Sequence, residues 1–195
     1  MSENRIFGIV GPSGIGKGYI KGALLNTFPN DFVEPIVVTT RDRRPTDGID
    51  RLSVDVAKFG VLVDNHDVIF EHQPYGSDGA WYGFLRSSLS EAKKHVLTEV
   101  HVENIEPFRA QYNDRLFLLG LISSKEYLQV NLAGRGESDR EQQVRLSTAI
   151  QEVNTIQNFH SSGFVDEVLA VGYETRQIIN QLVVNIAIAR LSLTN

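Results

Sequence analysis

The 195-residue chain has no cysteine. That excludes a disulfide framework and any metal site built on thiolates, and it fits a reducing compartment. No apolar run approaches the roughly 18 residues a membrane span needs. The opening MSENRIFGIV lacks the long apolar stretch of a secretory signal. Positive charge is in deficit as well: the formal net charge is −5, which favours solubility and argues against sequence-independent nucleic-acid binding. Internal repeats, low-complexity tracts and an obvious linker are missing. The five histidines show no metal-ligand spacing, so no metal site built from protein groups alone is expected. With 42% hydrophobic residues, the length suffices for one well-buried core. The expectation is a soluble cytoplasmic protein of one domain.

What is present is an alternation of apolar runs and helical patterns. Arg5–Val10 reads as a buried strand and Lys17–Phe28 as the helix after it. His95–Val100 (HVLTEV) and Leu116–Ile122 (LFLLGLI) are strand-length apolar runs, each followed by a helical stretch, and Val165–Val171 repeats the pattern. Ile178, Ile179, Leu182, Val183, Ile186 and Leu191 fall at helical spacing and predict a C-terminal helix. Three S-x-x-E pairs, Ser88/Glu91, Ser123/Glu126 and Ser138/Glu141, have the form of capping boxes and predict helix starts. Strand–helix alternation predicts an α/β fold with a parallel sheet flanked by helices. From about Asp31 to Ser87 the rhythm breaks. Short β-like pieces (EPIVVTT, DVIFEH), turn residues, arginines and aromatics predict an inserted substrate-binding subdomain there.

The strongest motif is Gly11-Pro12-Ser13-Gly14-Ile15-Gly16-Lys17, a G-x-x-x-x-G-K loop with a strand before it and a helix after it. Glycines let the backbone wrap phosphate oxygens with its N–H groups turned inward. The helix N-terminus adds partial positive charge, and the lysine reaches the terminal phosphates. Gly11, Ser13, Gly14, Gly16, Lys17 and Gly18 are therefore the candidate ATP-binding residues. Gly18 takes the place where many such loops carry a Mg²⁺-ligating hydroxyl, and Tyr19 follows it. The rigid ring of Tyr19 cannot reproduce a short hydroxyl's contact, so it either packs outward or belongs to an altered nucleotide pocket.

These residues, with four further segments in order, resemble the guanylate kinase family over nearly the whole chain. GPSGIGKG looks like the family's phosphate loop, and VVTTRDRRPTDGID is similar to its T-T-R-x-x-R-x-G and G-x-D-Y segment. VIFEH and WYGF resemble its F-x-E and Y-Y-G-T/S pieces. VLTEVHVEN stands where the family has D-x-D-x-Q-G. AGRGESDREQQVRLSTA is similar to its lid sequence, shortened by one residue. The resemblance implies a P-loop NTPase fold with core residues 1–33, 91–132 and 146–195, an acceptor-binding insertion at about 34–90 and a lid at about 133–145. It implies transfer of the γ-phosphoryl of ATP to GMP, with Mg²⁺ and nucleotides as the small-molecule partners; a homodimer is left open.

Phosphoryl transfer depends mostly on positioning and on neutralising phosphate charge. The resemblance makes Lys17, Arg41, Arg135 and Arg145 the catalytic candidates, the last two from the lid. Arg41, Arg44, Arg51, Glu71, Tyr82 and Glu99 become the acceptor-binding set. Guanidinium forks match phosphate oxygens, which assigns Arg41 and Arg44 to a clamp on the acceptor phosphate. A carboxylate can accept from the ring N–H and exocyclic amine of guanine, which assigns Glu71 to the base. Arg43 fits no family position, Trp81 reads as packing, and Asp139 and Glu141 read as first-turn helix residues. The chain departs from the pattern at Val37 (a base-contacting serine in the family), Arg51 (tyrosine), Phe84 (serine or threonine), Glu99 and His101 (both aspartate). Two alternatives are compatible with those departures: a kinase of the same fold acting on a sugar phosphate such as ribose 1,5-bisphosphate, and a catalytically weak binding module.

Overall fold

The computed structural model describes residues 4–45, 47–74, 79–133, 139–173 and 176–191. The chain opens with strand β1 (Ile6–Val10), the glycine loop and helix α1 (Lys17–Thr27). A short strand β2 (Phe32–Val33) leads into β3 (Val37–Thr39), β4 (Arg51–Ser53), α2 (Val56–Asp64), β5 (Val68–His72), β6 (Tyr82–Leu85) and α3 (Arg86–Ser90). The chain then returns through β7 (His95–Val100), α4 (Ile105–Tyr112), β8 (Leu116–Ile122), α5 (Lys125–Ala133), α6 (Asp139–Ser161), β9 (Glu167–Ala170) and α7 (Arg176–Leu191).

β2, β7, β1, β8 and β9 form a five-stranded sheet in that order, parallel throughout. Its strands read as continuous apolar runs because both faces are covered. Phe7, Ile9, Leu97, Phe117, Leu119 and Leu121 point to one face and pack with Ile20 and Leu24 of α1 and Val183 and Ala187 of α7. Ile6, Val10, Val96, Val100, Leu116 and Leu118 point to the other and pack with Ile105 and Phe108 of α4 and Ile156 of α6. Burying a side chain of this size contributes about 1.5–3 kcal/mol, so the two layers fix the sheet and the loop at the C-terminal end of β1.

Residues 37–85 build a second, four-stranded sheet in the order β4-β3-β6-β5. β3 pairs parallel with β4 and antiparallel with β6, and β6 antiparallel with β5. Val38, Phe59 and Val68 form a small core of their own with Trp81 against it. Helix α2, which the sequence reading did not foresee, is capped by Asp55, whose carboxylate accepts from the Lys58 N–H at 2.7 Å.

The strands and helices expected along the core are present within a residue or two. Two of the serines expected to cap helices do not. Ser88 lies inside α3; its hydroxyl donates to the Leu85 carbonyl and accepts from the Ile36 N–H. It thus ties the helix to the residue just before β3 instead of capping it. Ser123 donates to the Val171 carbonyl, and the hydroxyl accepting at the start of α5, from the Tyr127 N–H, is that of Ser124. Ser138 and the lid arginine Arg135 lie outside the described residues. Among the described residues, no helix is long and apolar enough to cross a membrane.

Candidate active site

The loop between β1 and α1 turns on two glycines. Gly14 has φ 86° and Gly16 φ 102°, left-handed values that favour a residue without a Cβ. Gly16 caps α1 without a side-chain hydrogen bond, and no residue of its first turn is acidic, so its positive end faces the adjoining cavity. The Lys17 ammonium folds back onto the loop, donating to the carbonyls of Gly11 (2.7 Å) and Pro12 (3.2 Å).

A cavity of about 540 Å³ opens beside this loop. Gly11, Ser13, Gly14, Gly16, Lys17 and Gly18 line one end of it. Its far wall carries Arg51, His72, Tyr82 and Phe84 from the second sheet, and Glu99 and His101 follow from β7. Arg145 and Glu152 of α6 close a third side. The structure thus brings together the predicted loop residues with Arg51, Tyr82, Glu99 and Arg145. A smaller cavity of about 230 Å³ lies on the other side of the loop, between Tyr19 and Ile20 of α1, Tyr127 and Asn131 of α5, and Ile179 of α7. Tyr19 lines both cavities and accepts a hydrogen bond from the Asn180 amide at 3.2 Å. Its ring, 45% exposed, is a wall between two pockets.

Three predicted acceptor residues lie outside the cavity wall: Arg41, Arg44 and Glu71. Arg41 pairs in a bidentate fork with Asp47, at 2.6 and 2.8 Å, and its Nη1 also donates to the Asp42 carbonyl. The guanidinium holds the Asp47 carboxyl well below the usual carboxylate range, helped by the Arg44 backbone N–H. The Arg44 side chain is exposed. Glu71 is displaced for a backbone reason. The pairing of β5 with β6 slips between Ile69 and His72, and Phe70 has φ 57°. This bulge leaves Glu71 in solvent and turns the next residue, His72, into the wall.

His72 and His101 stack face to face, centroids 4.7 Å apart, with Tyr82 on the other side of His72 at 5.8 Å. Burial, with the neighbouring His101, lowers the His72 pKa to about 4, so the ring is neutral at pH 7. The Asn104 amide donates to the Phe70 carbonyl and contacts His72 Nδ1 at 3.0 Å, fixing the ring on the bulge. His101 accepts from the Glu103 N–H on Nδ1, and its Nε2 faces Glu152 at 3.4 Å. The sequence reading gave His72 no role in a site and noted His101 only as a departure at a family aspartate position.

A row of opposite charges runs along the cavity floor. The Lys21 ammonium, one helical turn beyond Lys17, lies between the carboxylates of Glu34 and Glu99. The Glu99 Oε1 atom is 3.7 Å from where a Cβ on Gly18 would stand. A carboxylate thus occupies the space beside the loop position that has no hydroxyl. An oxygen ligand at a phosphate loop suits Mg²⁺, which binds through one or two carboxylates together with phosphates and water. Glu99 is the described residue that fits.

The family model for guanylate kinase matches residues 3–169. The guanylate kinase of Lactiplantibacillus plantarum is 27% identical over 184 residues, covering 91% of this chain and 87% of the relative. Among solved structures, the guanylate kinase of Anaplasma phagocytophilum superposes with a TM-score of 0.69 at 20% identity, over 99% of this chain and 89% of that one. The shikimate kinase of Acinetobacter baumannii, solved with shikimate, gives a TM-score of 0.51 at 12% identity, over 95% and 94%. Both structural likenesses are of fold alone. A phosphate loop at the head of a parallel sheet, a second sheet facing it across a cavity and a match over most of the chain lead to one conclusion: this chain belongs to the guanylate kinase family and is a nucleoside monophosphate kinase.

Proposed function

We propose that the protein transfers the γ-phosphoryl of ATP to GMP in the cavity between its two sheets. The observation that carries this reading is one continuous cavity, with the phosphate loop and Lys17 at one end and Arg51, Tyr82 and His101 at the other. Two phosphate-bearing substrates can meet there end to end. The GMP assignment is supported by the family and by the guanylate kinase relatives. The setting we infer is the cytoplasm, with nucleotides as partners.

In this reading the loop N–H groups and the N-terminus of α1 hold the donor's phosphates, and Lys17 leaves the Gly11 and Pro12 carbonyls to neutralise them. The smaller cavity, walled by Tyr19 and Tyr127, takes the donor's base. Mg²⁺, when bound, spreads the charge of the donor phosphates; Glu99 would hold it. Arg145 reaches the transferring group from α6. On the acceptor side Arg51 and Tyr82 face the phosphate. A base contact through Glu71 requires the β5 bulge to turn over, so His72, His101 and Glu152 are the polar groups nearest the base.

The test is simultaneous binding. Calorimetry should find one GMP and one non-hydrolysable ATP analogue bound per chain, each with the other present. Mutual exclusion of the two ligands would overturn the two-ended site.

A further inference from the structure

We propose that Glu34 is a positioning residue for Mg²⁺ binding: by holding the Lys21 ammonium, it keeps the Glu99 carboxylate open beside the phosphate loop. This rests on the phosphotransfer reading above and on the place of Glu99 in it. Lys21 stands four residues after Lys17 on α1, Glu34 lies between β2 and β3, and Glu99 is near the end of β7, opposite Ile9 of β1. All three line the large cavity. The ammonium pairs with Glu34 Oε1 at 2.5 Å, while Glu99 Oε1 is 3.9 Å away. The second distance is too long for a hydrogen bond.

The same Glu99 oxygen, Oε1, is the atom 3.7 Å from where a Cβ on Gly18 would stand. It therefore lies between Lys21 and the loop position that has no hydroxyl. Among the described residues the Glu99 carboxylate accepts no hydrogen bond, and Lys21 is its one cation within 4 Å. At 38% exposed it is also the most open of the three side chains, against 19% for Lys21 and 25% for Glu34.

Two carboxylates thus compete for one ammonium, and the shorter distance gives it to Glu34. The consequence for a dication is direct. Mg²⁺ is held by one or two carboxylates with phosphate and water. An ammonium on the same oxygen would oppose it with a like charge and occupy the lone pair it needs. Lysine carries its charge on a flexible four-carbon stem. Without the Glu34 charge, Glu99 is the carboxylate left within 4 Å for Lys21 to turn to. A loop without a hydroxyl at Gly18 has no second side-chain oxygen of its own to make up that loss.

The experiment counts bound ion, without turnover. Mn²⁺, standing in for Mg²⁺, is titrated into the protein–ADP complex with protein in excess over ADP, and free Mn²⁺ is read by electron paramagnetic resonance. ADP affinity without a divalent ion is measured alongside, so that lost nucleotide is not read as lost ion. Glu34→Gln and Glu99→Gln should each weaken the ion about tenfold, the usual effect of disturbing a ligand or its support. Lys21→Met should hold the ion at least as tightly as the wild type, and the Lys21→Met, Glu34→Gln double variant should match Lys21→Met. A double variant as weak as Glu34→Gln would show that Glu34 acts through the fold and not through Lys21. That result, or unchanged ion affinity in Glu34→Gln or Glu99→Gln, overturns the inference. If Glu34→Gln does not fold, weaker ion binding by Lys21→Met overturns it alone. A wild-type protein that binds no ADP would instead overturn the phosphotransfer reading.

Discussion

The Lys21 ammonium lies 2.5 Å from the Glu34 carboxylate and 3.9 Å from that of Glu99. The three residues come from the helix after the phosphate loop, the segment entering the second sheet and strand β7, the neighbour of β1. Lys21 therefore ties the donor half of the site to the acceptor half. The pair is partly shielded, with 19% and 25% of the two side chains exposed, so salt screens it less than a surface bridge.

Lys21→Met removes that tie without shortening the apolar stem. Backbone hydrogen exchange should quicken in residues 34–39 and 51–53 and stay unchanged in β1 and β8, and acceptor kcat/KM should fall about tenfold, the effect of a misplaced substrate group. Unchanged exchange in the second sheet would show that the bridge carries no coupling.

Lys17 has no packing role, since its ammonium rests on two loop carbonyls at the cavity edge. Lys17→Ala should lower kcat by about 10²- to 10³-fold, as the loss of one preorganised charge does. Its melting temperature should stay within about 2 °C of the wild type, a shift smaller than 1 kcal/mol produces in a chain of this size. Near-normal turnover by this variant would remove Lys17 from the donor site.

His72 links the acceptor wall to stability. Its pKa is lowered to about 4 by burial first and His101 second, against about 6.5 in an unfolded chain. The unfolded state therefore takes up a proton between these values while the folded state does not, so stability falls as pH drops from about 6.5 to 4 and is complete above 6.5. His101 and Tyr82 stack on the ring, Glu152 and Glu103 stand beside His101, and Arg51 lines the same wall. Urea unfolding at pH 7 and pH 4.5 should show the wild type losing about 2–3 kcal/mol more than His72→Gln over that interval. Equal losses in the two proteins would place the acid sensitivity elsewhere.

The core was legible because a buried parallel sheet writes itself as apolar runs, and β1 and β8 are such runs. The donor loop was legible because Gly14, Gly16 and Lys17 answer to backbone geometry and charge, which spacing encodes. The acceptor wall was read less well. The match of VIFEH to F-x-E takes regular pairing for granted, and the bulge at Phe70 exchanges Glu71 for His72. Arg41 and Arg44 look alike beside Arg51 in a sequence; which of them meets the cavity was decided by a carboxylate three to six residues further on, Asp47. Helix α2 escaped notice because its nine residues sit between short strands.

The central claim is that the cavity joins an ATP end to a GMP end, and the direct measurement is product formation. Incubation of the protein with MgATP and GMP, AMP, UMP or ribose 1,5-bisphosphate, followed by ³¹P spectroscopy, should show ADP and GDP appearing in equal amounts with GMP and far slower reaction with the other three. Phosphorylation of the sugar bisphosphate in preference to GMP, or ADP release that no acceptor accelerates, would contradict the account.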